Sequence, residues 1–175
     1  MKPVVVAVVG GKKSGKTTTI ETLIVKLTER GYSVAAVKHI SEKSFTIDTE
    51  GKDTWRFAHA GAKTIVAVSS NEVAVIQRRK SSSFSLRQIL RECRGNDFIL
   101  LEGFRDPVAK NKRILKVVTV KSAEEAQEAL NTMDPVKVFV GPFSTEDMNL
   151  KVPYVNALAN SERLADIVED ALKRK

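Results

Sequence analysis

Apolar residues along this chain occur in short continuous runs that alternate with segments in which they recur at helical spacing. Residues 4–9 form a valine-rich run, which is typical of a strand buried on both faces of a parallel sheet. Residues 15–30 repeat apolar side chains at helical intervals, and Gly31 follows where such a helix would stop. A further apolar run at 34–37 completes a strand, helix and strand, which predicts a parallel sheet with a right-handed crossover.

The same alternation continues along the rest of the sequence. Two short apolar runs, 64–68 and 73–76, flank a turn-like spacer and predict an antiparallel hairpin at the edge of the sheet. Alternating strands and helices are the pattern of an α/β protein with helices on both faces of its sheet. The other predicted elements are helices at 54–60 (capped by Asp53), 123–130 and 161–173, a helix opened by a capping box at Ser85, and strands at 98–101, 117–120 and 136–140. The intervening segments 41–52, 105–113 and 141–153 are predicted to be loops.

Composition narrows the class of protein. With 175 residues and 42% hydrophobic content the chain can bury one substantial core, so we predict a single domain covering residues 1–175. The first apolar run is too short for a signal sequence or a membrane span. Cys93 is the only cysteine, which excludes an intramolecular disulfide and a thiolate metal cluster. We therefore expect a cytoplasmic protein without a membrane segment.

The charge balance favours acidic partners. A net charge of +8 suits nucleotide phosphates, an acidic protein surface or nucleic acid. Aromatic residues make up only 6% of the chain, and the basic residues are not flanked by stacking aromatics. Nucleic-acid binding is therefore a minor hypothesis.

One segment carries specific chemistry. The sequence GGKKSGKT at residues 10–17 fits the pattern G-x-x-x-x-G-K-[ST], directly after the first predicted strand and at the start of a helix. Glycines allow successive backbone N–H groups to point inward, and the helix amino terminus adds partial positive charge where phosphates would bind. We predict a phosphate-binding loop here, called the P-loop below, and a P-loop NTPase three-layer fold.

The P-loop side chains have distinct predicted roles. Lys16 is expected to reach the β- and γ-phosphates of a nucleotide, and the Thr17 hydroxyl is expected to ligate Mg²⁺. Lys12 and Lys13 add positive charge to the loop. For these two lysines a solvated surface role is an equal alternative.

A carboxylate follows the apolar run at 98–101. Glu102 at the carboxyl end of that strand resembles a Walker B arrangement, in which an acid contacts Mg²⁺ directly or through water. Gly103 would keep the backbone close to the γ-phosphate. A solvated strand-end glutamate is the alternative, and Asp97 at the start of the strand is a weaker candidate.

Polar residues after the second strand complete the candidate site. Lys38 and His39 end that strand on the side where ligands collect in parallel sheets. Asp48 and Asp53 flank the polar loop and are candidates for a switch that senses the γ-phosphate through metal or water. The sequence leaves open which aspartate acts, and His39 is equally explained as an ordinary hydrogen-bonded histidine.

Together these segments resemble the family of molybdopterin-guanine dinucleotide biosynthesis protein B (MobB), small P-loop GTP-binding proteins. The matching pieces, in the family's order and spacing, are VVGGKKSGKTTTIETLI at 8–24, VAAVKH at 34–39, FTIDTEGKDTWRFAHAGA at 45–62 and DFILLEGFR at 97–105. The P-loop alone is generic, whereas its combination with the other three segments is discriminating. Two departures are Lys12 and Lys13 in place of small residues, and a segment 106–112 that lacks the family's usual continuation.

The resemblance implies a GTP-carrying accessory to the guanylyltransferase that joins GMP to molybdopterin. It also implies Mg²⁺, weak hydrolysis at most, a homodimer, and molybdopterin as a further candidate ligand. Combined with the roles above, the candidate nucleotide-binding residues are Gly10, Gly11, Lys12, Lys13, Ser14, Gly15, Lys16, Thr17, Thr18, Lys38, His39, Asp53 and Gly103. The candidate metal ligands are Thr17, Asp48 and Glu102, and the candidate catalytic residues are Lys16, Glu102 and Asp48.

Other function classes stay open at this point. A small-molecule kinase would place its acceptor near Lys38, His39 and Trp55. A metal-delivery GTPase is disfavoured because two histidines and one cysteine do not form a cluster at ligand spacing. No N-K-x-D guanine signature is present, so a preference for GTP over ATP rests on the resemblance alone.

Overall fold

The computed structural model describes residues 2–42, 45–79, 85–142 and 151–173. In chain order its elements are β1 (Val4–Gly10), α1 (Lys16–Glu29), β2 (Val34–Lys38), α2 (Asp53–His59), β3 (Thr64–Val68), β4 (Val73–Gln77), α3 (Leu86–Glu92), β5 (Phe98–Glu102), α4 (Arg105–Val108), β6 (Leu115–Thr119), α5 (Ala123–Thr132), β7 (Val136–Val140), β8 (Tyr154–Val155) and α6 (Ser161–Lys173). Over these described ranges no helix combines the length and the apolar character needed to cross a membrane.

The chain divides into two compact units. The second unit is Ile40–Ile89, and the first unit comprises the described residues before and after it. Compactness alone does not decide whether a unit folds on its own, which is what defines a domain. The single domain over residues 1–175 therefore stays a prediction.

The first unit is built around a six-stranded sheet with the order β2-β5-β1-β6-β7-β8. All of its paired strands run parallel. Because β1 pairs with β5 on one side and with β6 on the other, it is a central strand. The P-loop therefore lies at the carboxyl end of a central strand of the sheet. The predicted strand, helix and strand at the start of the chain all form, but β5 lies between β1 and β2.

The central strand is buried on both faces. Val6 and Val8 of β1 pack in one core with Leu23 of α1 and Leu164 of α6. Ala7, which points to the opposite face because strand side chains alternate, is also fully buried. Helices α4 and α5 contact β1 and β7. The predicted α/β class with a mostly parallel sheet and helices on both faces is confirmed.

Local sequence signals set several helix ends as predicted. Gly31, at φ 84°, follows α1 in the left-handed conformation that stops a helix. The Ser122 hydroxyl accepts from the Glu125 N–H at 3.3 Å and caps α5. At α3, Gln88 N donates to Ser85 Oγ at 3.3 Å while Ser85 N donates to Gln88 Oε1 at 2.8 Å, which is a reciprocal capping box.

The predicted hairpin forms within the second unit, but its predicted position is wrong. β3 and β4 pair antiparallel, with Val66 opposite Val75 and Val68 opposite Val73. They form a separate two-stranded sheet, whereas the edges of the six-stranded sheet are β2 and β8. A short spacer between two apolar runs specifies that they pair with each other, but it carries no information about a third strand.

Two other predictions need correction, and one short strand was not predicted. Asp53 does not cap α2: it is the first helical residue, and Lys52 occupies the cap without a side-chain bond. The segment 105–113 is not wholly a loop, since α4 begins after Phe104 in the left-handed conformation and Pro107 is tolerated in a first helical turn. The two-residue strand β8 directly follows the predicted loop 141–153 and is too short to leave a sequence pattern. Residues 143–150 of that loop lie outside the described part.

Strand β6 begins earlier than its apolar run because it contains a buried lysine. Lys116 is 0% exposed, and its ammonium donates to the carbonyls of Asn111 at 2.6 Å and Asp134 at 2.9 Å. Burial lowers the pKa of Lys116. A charged residue in a core position requires such partners, and a pattern of apolar residues does not anticipate it.

Candidate functional site

The P-loop connects β1 to α1 through backbone conformations that glycine permits. Gly15 adopts φ 88° immediately before the first residue of α1, and Lys13 also lies in the left-handed region at φ 58°. At Gly10 a Cβ atom would collide with the hydroxyl and carbonyl oxygens of Thr119 and approach Ser14 Oγ. The glycine at position 10 is therefore required by space, because β6 passes directly beside it.

Lys16 lies across the inside of its own loop. Its ammonium donates to the carbonyls of Gly10 at 3.2 Å and Gly11 at 2.5 Å. Burial lowers the pKa of Lys16, the carboxylate of Glu102 opposes that shift, and the positive charges of Lys38 and Lys121 add to it. An anion in the loop would relieve this positive charge.

A carboxylate and a hydroxyl converge beside the loop. The Thr17 hydroxyl lies 3.2 Å from both carboxylate oxygens of Glu102, and the Lys38 ammonium lies 3.1 Å from Glu102 Oε1. The Glu102 side chain is only 13% exposed. A hydroxyl and a carboxylate that converge in this way are the oxygen donors that suit Mg²⁺, so the residues present fit that ion.

The backbone around Glu102 joins three neighbouring strand ends. His39 N donates to the Glu102 carbonyl at 3.0 Å, and Gly103 N donates to the Val8 carbonyl at 3.0 Å. Gly103 has φ 86°, and the ring of His39 lies 5.2 Å from that of Phe104. The structure therefore brings Lys38, His39 and Glu102 to the same end of the sheet as the P-loop. His39 makes the ordinary contacts of a strand-end residue, and a ligand role for it stays a prediction.

Asp97 lies at the other end of β5, away from Glu102. Its carboxylate accepts from Ser33 N at 2.9 Å and from Ser33 Oγ at 2.7 Å. These two bonds lower the pKa of Asp97. The role of Asp97 is thus to tie the start of β5 to the start of β2, and it is not a candidate for the metal.

The second unit contains Asp48 and Asp53. Asp48 Oδ1 accepts from the Thr54 hydroxyl at 2.9 Å, while its Oδ2 is buried without a partner among the described residues. Asp53 is exposed beside Arg56, with 3.4 Å between Oδ1 and Nη1. No three His, Cys, Asp or Glu side chains in the described ranges cluster as a metal site. The metal role of Asp48 and the binding role of Asp53 stay predictions.

The sequence did not point to two residues that contact the P-loop. Thr119 Oγ1 lies 2.6 Å from Ser14 Oγ, and Lys121 Nζ donates to the Lys12 carbonyl at 2.8 Å. Both follow from β6 being the neighbour of β1, and neither stands in a recognisable motif. By contrast, the Lys12 and Lys13 side chains are exposed, which matches the surface alternative for them.

A cavity of about 460 Å³ adjoins the P-loop within the first unit. The loop side is formed by Lys13, Ser14 and Gly15, and the start of α1 contributes Thr18 and Thr19. The opposite walls come from residues beyond β6, β7 and β8, among them Lys121, Pro142, Asn156, Ala157 and Leu158. Sequence reasoning missed these walls, since nothing in the sequence links them to a loop more than a hundred positions away.

The chain is similar to a known family over most of its length. Residues 5–140 match the family profile of molybdopterin guanine dinucleotide synthesis protein B. A Haemophilus influenzae molybdopterin-guanine dinucleotide biosynthesis adapter protein is 33% identical over 107 residues, which is 59% of this chain and 58% of that protein. A Methanocaldococcus jannaschii relative is 34% identical over 121 residues, 69% of this chain and 48% of that protein. The aligned part thus spans about half the length of these two relatives.

The same similarity appears in three dimensions. A crystal structure of molybdopterin-guanine biosynthesis protein B superimposes with a TM-score of 0.72 and 26% sequence identity. The match covers 97% of this chain and 99% of that one. The arrangement of helices and strands is therefore shared along nearly the whole chain.

Proposed function

Because this chain belongs to the molybdopterin guanine dinucleotide synthesis protein B family, we propose that it is a GTP-binding accessory protein of molybdenum cofactor biosynthesis. Its GTP would be positioned for the guanylyltransferase that attaches GMP to molybdopterin. The observation that carries the proposal is the convergence of Lys16, Thr17 and Glu102 at one end of the sheet. Lys38 extends that cluster.

The P-loop supplies the phosphate contacts in this proposal. The backbone N–H groups of a glycine-rich loop and the amino end of a helix such as α1 favour bound anions. Lys16 would exchange its bonds to the Gly10 and Gly11 carbonyls for bonds to phosphate oxygens, which are stronger because both partners are charged.

Mg²⁺ would be held by Thr17 and Glu102. The metal supplies charge neutralisation for the phosphates when it is bound. The Lys38 ammonium lies 3.1 Å from the Glu102 carboxylate. This ion pair would keep the carboxylate oriented towards Thr17 when no metal is bound. Slow hydrolysis at most is expected, because the described site presents Lys16 but no glutamine positioned to orient a water.

Two partners belong to the proposal. The guanylyltransferase is proposed because the relatives are named adapter proteins of this biosynthesis. A homodimer is supported by the β3 and β4 hairpin, where Val66, Val68, Val73 and Val75 share one face and are 55%, 73%, 63% and 59% exposed. Molybdopterin stays a candidate ligand without a specific contact to support it.

Calorimetric titration with GTP and with ATP, each with and without Mg²⁺, tests the nucleotide. We expect Mg²⁺-dependent binding that prefers GTP, and a loss of about 10- to 100-fold in affinity in Lys16→Ala because charged hydrogen bonds to phosphate disappear. Lys12→Ala is the matched control from the same loop, since its side chain is exposed, and it should change affinity by no more than about threefold.

The same titrations separate the alternatives. Preference for ATP, together with transfer of its phosphate to a small molecule, would favour the alternative hypothesis of a small-molecule kinase. Equal losses in Lys16→Ala and Lys12→Ala would show that the loop attracts nucleotide only through general charge. Absence of binding to the wild-type chain would reject the proposal. Titration of the GTP-loaded protein with the guanylyltransferase then tests the adapter role.

A further inference from the structure

A second and smaller cavity, of about 110 Å³, lies beside the first two residues of the P-loop within the first unit. Its walls include Gly10 and Gly11 of the loop, Arg105 at the start of α4 and Glu128 of α5. Sites that enclose a whole small molecule have roughly 300–1,000 Å³. This cavity is therefore too small for a separate ligand, but it gives the Arg105 side chain open space next to the loop.

The terminal phosphate of a nucleotide would lie at this end of the P-loop. The lysine of such a loop reaches the β- and γ-phosphates, and the Lys16 ammonium lies 3.2 Å from the Gly10 carbonyl and 2.5 Å from the Gly11 carbonyl. The Thr17 hydroxyl and the Glu102 carboxylate, 3.2 Å apart, would hold the metal that bridges the same two phosphates. The γ-phosphate would therefore be bound near the two glycines that line the small cavity.

The chain between β5 and α4 brings Arg105 to the same place. Arg105 follows Glu102 by three residues. Between them Gly103 has φ 86° and Phe104 has φ 58°, a left-handed conformation that is uncommon for a phenylalanine. Gly103 N donates to the Val8 carbonyl at 3.0 Å, so the backbone N–H that follows Glu102 is already used. The guanidinium of Arg105 is the nearby group that has several donors for a phosphate.

Arg105 has a weak partner that a phosphate would replace. Its Nη2 lies 3.4 Å from Glu128 Oε1, and the two side chains are 47% and 69% exposed. An ion pair this exposed contributes little. A terminal phosphate carries more negative charge than one carboxylate, and its oxygens match the fork of donors on a guanidinium. Movement of Arg105 from Glu128 to a γ-phosphate is therefore a favourable exchange.

We propose that Arg105 recognises the γ-phosphate of the bound nucleotide, and that Glu128 holds Arg105 away from the P-loop when this phosphate is absent. The assignment rests on the proposed function, since it requires nucleotide phosphates in the P-loop. Through this contact the protein would bind GTP more tightly than GDP. Because the exchange breaks the ion pair between α4 and α5, the surface formed by these two helices would also differ between the two nucleotide states.

Calorimetric titration with two nucleotides tests this assignment. In Mg²⁺ buffer each protein is titrated with GDP and with the GTP analogue that has an imido group between its β- and γ-phosphates, which prevents hydrolysis. Arg105→Ala should weaken binding of the analogue by about tenfold, because a charged hydrogen bond to phosphate is lost. Its affinity for GDP should stay within about twofold of wild type.

Two further variants complete the experiment. Glu128→Gln removes the competing carboxylate charge, so it should strengthen binding of the analogue by about threefold and leave GDP binding within about twofold. Arg113→Ala is the matched control for Arg105→Ala. Arg113 is also an exposed arginine, but it lies just before β6, at the opposite edge of the parallel sheet from the P-loop. It should leave both affinities within about twofold.

The possible outcomes separate this assignment from the proposed function. An analogue affinity within twofold of wild type in Arg105→Ala, or an equal loss for GDP, would overturn the role of Arg105 while leaving GTP binding intact. Wild-type protein that binds GDP as tightly as the analogue would overturn it too. An analogue affinity that is unchanged or lower in Glu128→Gln would overturn the part assigned to Glu128. Failure of wild-type protein to bind either nucleotide would instead reject the proposed function.

A spectroscopic measurement follows the guanidinium itself. In protein labelled with ¹⁵N-arginine, the Nε–Hε signal of Arg105 is identified by its loss in Arg105→Ala. This signal should shift when the GTP analogue is added and stay near its starting position with GDP, since only the analogue provides the phosphate that replaces Glu128. Shifts of equal size with both nucleotides would show that Arg105 does not recognise the γ-phosphate.

Discussion

Gly10 lies where β1 passes closest to Thr119 of β6, and its lack of a side chain is required there. A Cβ atom would collide with the Thr119 hydroxyl and carbonyl oxygens, whereas at Gly11 it would meet nothing within 4 Å. We expect Gly10→Ala to lower the unfolding free energy by about 1–3 kcal/mol, the usual cost of overpacking. Gly11→Ala should change it by less than about 0.5 kcal/mol.

Urea unfolding of both variants measures this difference. The pair is informative because the two substitutions add the same atoms to adjacent positions of the same loop. Equal stability of Gly10→Ala and Gly11→Ala would mean that Thr119 can move away from β1 at little cost.

At the scale of elements, α1 and α6 are joined by a network of charges. Hydrogen bonds from Lys173, Arg30 and Tyr32 lower the pKa of Glu169 to about 2 from its ordinary value near 4.5. A lowered carboxyl pKa stabilises the fold fully above the unfolded value near 4.5, and this contribution is lost as the pH falls towards 2. The network therefore contributes at neutral pH and disappears in acid.

We expect Glu169→Gln to lower the unfolding free energy at pH 7 by about 1 kcal/mol, since the ion pairs with Lys173 and Arg30 are lost. Asp170→Asn on the same helix removes one exposed charge and should have an effect below about 0.5 kcal/mol. Denaturant unfolding between pH 7 and pH 3 measures both. A difference between wild type and Glu169→Gln that is constant with pH would contradict the role of the charge.

The elements that were predicted well from the sequence are those in which most residues are buried in the same core. The run at 4–9 is apolar throughout, and the run at 136–140 is apolar except at Lys137, because helices pack against β1 and β7. Prediction was poorest where a local rule was broken by a distant partner. Lys116 is buried in β6 because two carbonyls receive its ammonium, and Phe104 adopts φ 58° before α4.

The residues of the candidate site also differ in how well the sequence predicts them. The P-loop is predictable because glycine spacing and a helix start are local properties of residues 10–17. Glu102 and Lys38 were predictable as strand ends, although their contact depended on β2 and β5 being neighbours. Asn156 and Leu158 were not predictable, because the walls of a cavity are assembled by strand order and carry no spacing signal.

At the scale of the whole molecule, the apolar face of the β3 and β4 hairpin is the surface through which we expect copies of the chain to associate. Valines that are 55–73% exposed on one face form a patch that favours association. We expect sedimentation to show a dimer, and Val68→Asp to convert it to a monomer by placing a charge in the interface. Val25→Asp, also at an exposed valine, should leave the dimer intact.

Sedimentation equilibrium at several protein concentrations distinguishes these outcomes. A wild-type monomer at all concentrations would contradict the homodimer. Dissociation by Val25→Asp but not by Val68→Asp would place the interface on α1. Circular dichroism of each variant confirms that any change in mass is not caused by unfolding.

The hydrogen bonds from Lys16 to the Gly10 and Gly11 carbonyls also affect the P-loop when no ligand is bound. The Lys16 ammonium already has two carbonyl partners inside its own loop, so it is not left without hydrogen bonds in the empty protein. The nearby positive charges of Lys38 and Lys121 still favour an anion there. The P-loop can therefore keep its shape in the empty protein, and a nucleotide that binds there would add stability to a loop that is already formed. A newly made copy would then not need a ligand in order to fold its P-loop.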